Sequence, residues 1–101
     1  AYRDESAKLR GFRSLHPLAH VFRSRNPNET SVLVASGPRS SSAYRIQVVN
    51  VTEERGRVVV RVREHSPTLA NPGRAQLTYP YRLLVLPRLD KHITVKWEGR
   101  P

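Results

Sequence analysis

The sequence lacks cysteine, and this absence excludes several kinds of chemistry at once. Without a thiol there can be no disulfide bridge, no thiolate zinc site and no cysteine nucleophile. Long apolar runs are also missing, since no stretch approaches the roughly 20 apolar residues that a transmembrane helix needs. The chain begins at Ala1 rather than Met and shows no signal peptide. We therefore expect it to be a mature or trimmed piece of a longer protein.

Acidic residues are few, and cations outnumber them strongly. The 101 residues hold 18 Lys and Arg against 8 Asp and Glu, which gives a net charge of +10. A charge this large attracts nucleic acid, anionic lipid headgroups or an acidic protein surface by long-range steering. The same excess also arises where a genome encodes arginine at every solvated position. Charge by itself therefore does not select the partner.

Motifs for catalysis and for nucleotide binding are missing as well. No P-loop, G-x-G-x-x-G or G-x-S-x-G occurs in the chain. Glu64 shares the phase of neighbouring strand valines, so we expect it either to reach solvent at the strand end or to pair with an arginine. His16 and His20 have the i,i+4 spacing of helical metal ligands, but Pro17 lies between them where a helix should end. We predict no enzymatic activity, no metal site and no cofactor.

Hydrophobic periodicity predicts an α+β domain that is mainly antiparallel β-sheet. Apolar residues at near-helical spacing, preceded by Asp4 as a plausible N-cap, predict one N-terminal helix over about residues 4–15. Alternating apolar residues predict strands at about residues 31–35, 44–52, 57–65, 75–79, 81–87 and 93–98. A further short strand is indicated at Ala19–Phe22. We expect a single domain over 1–101, in which the helix accompanies a five- or six-stranded sheet arranged as a sandwich or a partly open barrel.

The valine-rich strand at 57–65 is the clearest element in the chain. Val58, Val60 and Val62 share one face of it, and Arg57, Arg61 and Arg63 share the other. Together with 44–52 it predicts an antiparallel hairpin whose turn contains Gly56. The first strand of the hairpin changes phase at Val49, which indicates either a bulge or a strand buried on both faces. The three arginines form a candidate basic face. Aromatic residues for stacking bases are not interleaved with them, which argues against a single-strand nucleic-acid binder.

Two other segments are candidate contacts for a protein partner. Residues 37–43 read as a polar loop that leads into a tyrosine, and LTYPY at 77–81 sets a proline between two tyrosines, which predicts a rigid corner. Loops held on a rigid sheet commonly carry binding. The predicted partner-binding residues are Pro38, Arg39, Ser40, Ser41, Ser42, Tyr44, Tyr79, Pro80 and Tyr81.

The order of these segments resembles a known family. SVLVASGPRSSSAYRIQVVNVTEERGRVVVRVREHSP, followed by a loop and AQLTYPYRLLVLP, is similar to the C-terminal domain family of PrcB-type protease-complex subunits over about residues 31–87. That family typically shows a G-x-x-P-T-G-G-Y loop, an I-x-V-x-x-V strand and Q-A-L-T-Y-P-Y before the last apolar strand. Here Ser41-Ser42-Ala43-Tyr44 replaces T-G-G-Y, and the cysteine often found after the Val-rich strand is absent.

The resemblance implies a non-catalytic accessory subunit that assembles with or stabilises a secreted bacterial protease. It also implies a location outside the cell or in the cell envelope, a protease or another envelope protein as the partner, and an exported parent protein. Two alternatives stay open. One is a basic nucleic-acid or anionic-envelope binding domain that uses Arg57, Arg61 and Arg63, and the other is a small β-fold protease inhibitor.

Overall fold

A computed structural model describes residues 2–88 and 91–99, and these residues are organised almost entirely as β-strands. The strands are β1 (Arg3–Asp4), β2 (Leu18–Arg23), β3 (Glu29–Ala35), β4 (Arg39–Ser41), β5 (Arg45–Glu54), β6 (Arg57–His65), β7 (Ala75–Thr78), β8 (Tyr81–Pro87) and β9 (His92–Trp97). One short 3₁₀ turn, Ser6–Leu9, follows β1. β2 lies where the short strand at 19–22 was indicated, and β4 lies inside the segment predicted to be a polar loop.

The strands are divided among three sheets. A four-stranded sheet has the order β1-β8-β3-β2, a three-stranded sheet has the order β5-β6-β9, and β4 pairs with β7 in a small sheet of its own. The pairs are antiparallel except β6 with β9, which are parallel. The prediction of one five- or six-stranded sheet is therefore wrong. Alternation along a strand reveals its buried face, but it does not reveal which strands share a sheet.

A layer of valine, leucine and isoleucine side chains packs between the two larger sheets. The four-stranded sheet contributes Val32, Val34, Leu84 and Leu86, and the three-stranded sheet contributes Ile46, Val58, Val60 and Val62. Ile93, Val95 and Trp97 of β9 pack against this layer, as their shared phase predicted. Burying one such aliphatic side chain stabilises a fold by about 1.5–3 kcal/mol, so this layer is the main stabilising element of a β-sandwich.

The predicted α+β class is wrong, because the N-terminal helix predicted over residues 4–15 does not form. Asp4 belongs to β1, where it pairs with Leu84 of β8, and helical character is confined to the turn Ser6–Leu9. The Tyr81 hydroxyl lies 3.0 and 2.8 Å from the carbonyl oxygens at the two ends of that turn, to which it donates. Gly11 then takes a positive φ of 87°, which an α-helix cannot accommodate. Bonds from a distant strand therefore occupy carbonyl groups that a longer helix would use.

The β5–β6 hairpin has the predicted pairing and a bulge, one of the two alternatives predicted for its first strand. Its register shifts between Val48 and Asn50, which leaves Val49 as the extra residue. Arg55 and Gly56 connect the strands, and both have positive φ, 49° and 77°. Two positive φ angles define a type I′ turn, the two-residue turn whose twist suits a hairpin. Among the residues that the structure describes, Arg55 is the single non-glycine residue with a positive φ.

Replacing Arg55 by asparagine should stabilise the protein. Asparagine adopts the left-handed region at lower cost than arginine, so we expect Arg55→Asn to raise the free energy of unfolding by up to about 1 kcal/mol. Urea denaturation followed by circular dichroism measures the change. Arg55→Gln removes the same positive charge without the conformational preference and serves as the control. Equal stabilisation by both variants would assign the effect to charge instead of backbone strain.

Candidate functional site

An open cleft lies at the end of the sandwich where β8 begins. Its volume is about 270 Å³, and it is lined by Ser6, Ala7, Tyr44, Arg45, Ile46, Thr78, Tyr79, Pro80, Tyr81 and Arg82. Tyr44 comes immediately before β5, whereas Tyr81 is the first residue of β8. The two candidate contacts predicted from separate parts of the sequence therefore meet here. We call this feature the tyrosine cleft.

Tyr81 and Tyr79 attach the tyrosine cleft to the N-terminal segment. Besides its hydrogen bonds to the 3₁₀ turn, Tyr81 packs edge to face on Phe12, with ring centroids 5.3 Å apart. The guanidinium carbon of Arg13 lies 5.6 Å from the ring centroid of Tyr79, a cation–π distance. The peptide bonds of this corner are trans, since the residues that the structure describes contain no cis peptide. Tyr81 therefore holds the N-terminal segment in place. Tyr79 is half-buried, so part of its side chain is accessible to a partner.

Arg39 holds the other side of the tyrosine cleft. Its Nε and Nη2 atoms donate to the Glu64 carboxylate at 3.0 Å, and only 5% of the Glu64 side chain is exposed. The guanidinium carbon of Arg39 lies 5.6 Å from the ring centroid of Tyr44. A fork of hydrogen bonds to a buried carboxylate fixes an arginine in one orientation. Arg39 therefore positions Tyr44, and Glu64 pairs with an arginine, one of the two outcomes predicted for it.

The serines of residues 37–43 bind the neighbouring loop. The hydroxyl of Ser41 donates to the carbonyl of Pro72 at 2.7 Å, and the hydroxyl of Ser42 accepts from the amide of Arg74 at 2.7 Å. Thr78 adds a bond from its hydroxyl to the Ser41 carbonyl at 3.0 Å. Because these bonds use the hydroxyl groups internally, β4 and the loop before β7 form one braced unit. Pro38 and Ser40 are exposed beside it.

The family motif has its glycines in the segment that corresponds to residues 37–43. In this fold, the contact between that segment and the neighbouring loop needs a glycine in the loop instead. Residues 38–44 contain no positive φ, so the Ser-Ser-Ala sequence fits the backbone. Gly73 instead has a φ of 69°, and a Cβ placed there would lie 2.5 Å from the Ala43 nitrogen and 2.6 Å from the Ser41 hydroxyl oxygen. The close approach of the two segments therefore depends on the missing side chain at Gly73.

Gly73→Ala should separate β4 from the loop that precedes β7. Positive φ costs an alanine about 1–2 kcal/mol, and overpacking adds a further ~1–3 kcal/mol. Gly11→Ala is the matched control, because Gly11 also has a positive φ but nothing lies within 4 Å of its Cβ position. We expect Gly73→Ala to lower the free energy of unfolding more than the control, by thermal denaturation. Equal losses would contradict the close contact.

The candidate basic face is partly neutralised by acidic side chains of the same domain. Arg61 pairs with Glu54 at 2.7 Å and donates to the hydroxyl of Thr52 at 2.9 Å, and Arg63 pairs with Glu98 at 2.7 Å. Arg61 and Thr52 hold the pKa of Glu54 at about 2, below its ordinary value of 4.5. Arg57 is exposed at the hairpin end. Two of the three predicted arginines therefore already have anionic partners.

The Glu54 pair should make stability depend on pH. A carboxyl group whose pKa is lower in the folded chain stabilises that state above the unfolded pKa, and the contribution is lost as pH falls through the folded pKa. The stability difference between the protein and Glu54→Gln should therefore shrink between about pH 4.5 and about 2. Titration of the Glu54 carboxyl carbon by NMR measures the pKa directly, and Arg61→Gln should return it toward 4.5. A midpoint near 4.5 in the unaltered protein would contradict the pair.

None of the four histidines lines the tyrosine cleft, although His65 pairs across the strands with Arg45, which does. His20 is in β2, where it stacks on Phe22 with ring centroids 5.3 Å apart, and the His65 ring bonds to the side chain of Gln47. Over residues 2–88 and 91–99, no three His, Asp or Glu side chains are grouped closely enough to hold a metal ion. The part of the chain that the structure describes has no helix that could cross a membrane.

Several residues of the tyrosine cleft were not predicted. Ser6 and Ala7 are brought there by the N-terminal turn, and no local sequence signal indicates that placement. Arg45 and Arg82 each follow a predicted tyrosine directly, so their neighbourhood in the sequence is a signal that could have identified them.

These observations define a small β-sandwich domain with an aromatic surface cleft. Residues 30–87 match the family model described as PrcB C-terminal. The match covers more than half of the chain, so the protein belongs to the PrcB C-terminal domain family, and the resemblance noted in its sequence is confirmed. The family is one of accessory domains related to protease complexes. No curated protein and no solved structure matches the chain.

Proposed function

We propose that this domain is a non-catalytic protein-interaction domain, an accessory or stabilising subunit of a secreted bacterial protease complex. We also propose that it acts outside the cell or in the cell envelope. Family membership supports the connection with proteases. The observation that carries the proposal for this chain is the meeting of Tyr44 with the corner Tyr79-Pro80-Tyr81 in one open cleft.

The composition of the tyrosine cleft suits contact with another protein. Tyrosine and arginine are enriched at the centres of protein interfaces, because both offer large contact areas together with hydrogen-bonding groups. Arg45 and Arg82 flank the tyrosines, so acidic or carbonyl groups of a partner would be bound at the rim. The internal bonds of Tyr81 and Arg39 keep this surface in one shape before binding, which lowers the entropy cost of association.

Tyr79 offers the sharpest test of the proposal. Its side chain lines the tyrosine cleft, whereas Leu77 on β7 is 63% exposed and does not line it. The domain, Tyr79→Ala and Leu77→Ala would each be immobilised and exposed to secreted and envelope proteins of the source organism. Retained proteases would be identified by mass spectrometry and measured by activity. We expect Tyr79→Ala to retain at least about tenfold less protease, as for an aromatic hot spot, and Leu77→Ala to retain the normal amount.

The same preparation separates the proposal from its two rivals. A stabilising subunit prolongs the half-life of the captured protease at elevated temperature, whereas an inhibitor lowers its activity on a peptide substrate. A nucleic-acid or anionic-envelope binder would show affinity for DNA or anionic vesicles that falls steeply with salt. Retention of no protease by the unaltered domain, or equal retention by Tyr79→Ala, would contradict the proposed function.

A further inference from the structure

The two larger sheets end in four edge strands, and three of these are protected. Exposed edges pair readily with other chains, and proteins prevent this with short strands, charges, bulges or proline. β1 is only two residues long, β5 carries the bulge at Val49, and β9 has the exposed Lys96 on it with Lys91 beside it. β2 is neither short nor bulged, and it carries no lysine and no proline. Its six residues, LAHVFR, pair with β3 in unbroken register, and its only charged residue, Arg23, is the last.

β2 also exposes large apolar side chains on both faces of its sheet. Val21 is 40% exposed and Phe22 is 37% exposed. Val21 pairs with Val32, a fully buried core residue, so Val21 lies at the margin of the layer between the sheets. Phe22 pairs with Ser31 on the opposite face and stacks on His20. A strand added beside β2 would cover both side chains, and it would continue the core.

The outer backbone of β2 has no partner within residues 2–88 and 91–99. The strand is hydrogen-bonded to β3 alone in the four-stranded sheet, and none of the backbone bonds that connect loops and turns reaches 18–23. Unpaired amide and carbonyl groups in a straight row are the feature that accepts an extended peptide as a new strand.

Positive charge is concentrated at one end of this edge. Arg23, Arg25 and Arg88 line a cavity of about 170 Å³ together with Ser24 and Thr30. Glu29 also lines this cavity, but its carboxylate is bound by Arg3. In the part of the chain that the structure describes, the three arginines have no acidic partner. The Ser24 hydroxyl shares a hydrogen bond with Ser31, and Arg88 donates one bond to the carbonyl of Pro27. An incoming carboxylate would therefore be bound mainly by the guanidinium groups, whose charge no acidic side chain of the described residues neutralises.

We propose that β2 is a docking edge at which an extended acidic segment of a protein partner adds as a new strand. The segment pairs with the backbone of 18–23, places apolar side chains over Val21 and Phe22, and puts a carboxylate in the cavity of Arg23, Arg25 and Arg88. A second copy of this chain is disfavoured at the same edge, because each copy carries a charge of +10. This surface shares no residue with the tyrosine cleft, so it is independent of the proposed function.

A synthetic decapeptide with four central valines between three aspartates at either end tests the edge directly, because consecutive valines place apolar side chains on both faces of an added strand. Titration of the whole domain at low ionic strength, followed by amide NMR, should shift and protect residues 18–25. The same decapeptide with lysine in place of every aspartate should bind at least about tenfold more weakly, because it meets the arginines with like charge. Val21→Asn should weaken binding of the aspartate peptide by about threefold or more, the effect of losing a good cross-strand contact.

Matched variants keep this experiment decisive. Leu77→Asn makes the same neutral change at an exposed leucine on β7, and it should leave binding unaltered. Arg25→Gln changes an exposed side chain outside the strands, so it tests the charge component even if Val21→Asn folds poorly, and we expect it to weaken binding and flatten the salt dependence. The proposal would be overturned if both peptides bound equally, or if the amide shifts appeared at the tyrosine cleft and not at residues 18–25. It would also be overturned if sedimentation showed a dimer of the domain that Val21→Asn dissociates.

Discussion

The aliphatic layer between the two larger sheets is the constraint on which the rest of the structure depends. It joins Val58, Val60 and Val62 of one sheet to Val32 and Leu84 of the other, and it leaves little freedom for the sheets to shift, because interiors are packed at crystal density. The tyrosine cleft straddles this junction. Tyr44 leads into the three-stranded sheet and Tyr81 opens the four-stranded sheet, so the packing of the two sheets brings the two tyrosines together.

Polar contacts fix the positions of β4 and of the loop before β7, which the core does not determine. The Arg39–Glu64 pair connects β4 to the end of β6, and the Ser41 hydroxyl connects β4 to the loop before β7. An exposed ion pair contributes little to stability, but the Glu64 carboxylate is nearly buried and needs its donors. The segment that the sequence presents as a polar loop is therefore a rigid part of the scaffold. Its conformation is determined by partners far along the chain.

The parts of this fold that were predicted correctly are those whose signal is local. Strand alternation places Val58, Val60 and Val62 on the core side, because a strand with one buried face has an apolar residue at every second position. The helix over 4–15 was predicted wrongly for the opposite reason, since the 3₁₀ turn is held by the hydroxyl of Tyr81, more than seventy residues away. The division into separate sheets likewise depends on which strands meet in space. The tyrosines were found as single residues, but their meeting in one cleft is a property of the tertiary structure.

The position of the surplus positive charge is more informative than its size. A net charge of +10 attracts polyanions, and the sequence offers Arg57, Arg61 and Arg63 as a candidate basic face. In the fold, however, Arg61 and Arg63 are paired with glutamates. Arg23, Arg25 and Arg88 instead converge at the end of an unprotected strand, and none of them has an acidic partner among residues 2–88 and 91–99. A cation that is paired within the domain contributes little to binding a partner. A cation beside an unpaired strand edge attracts an acidic segment and also fixes the register in which that segment pairs with the edge. The distribution therefore favours recognition of an extended acidic polypeptide over uniform attraction to a polyanion.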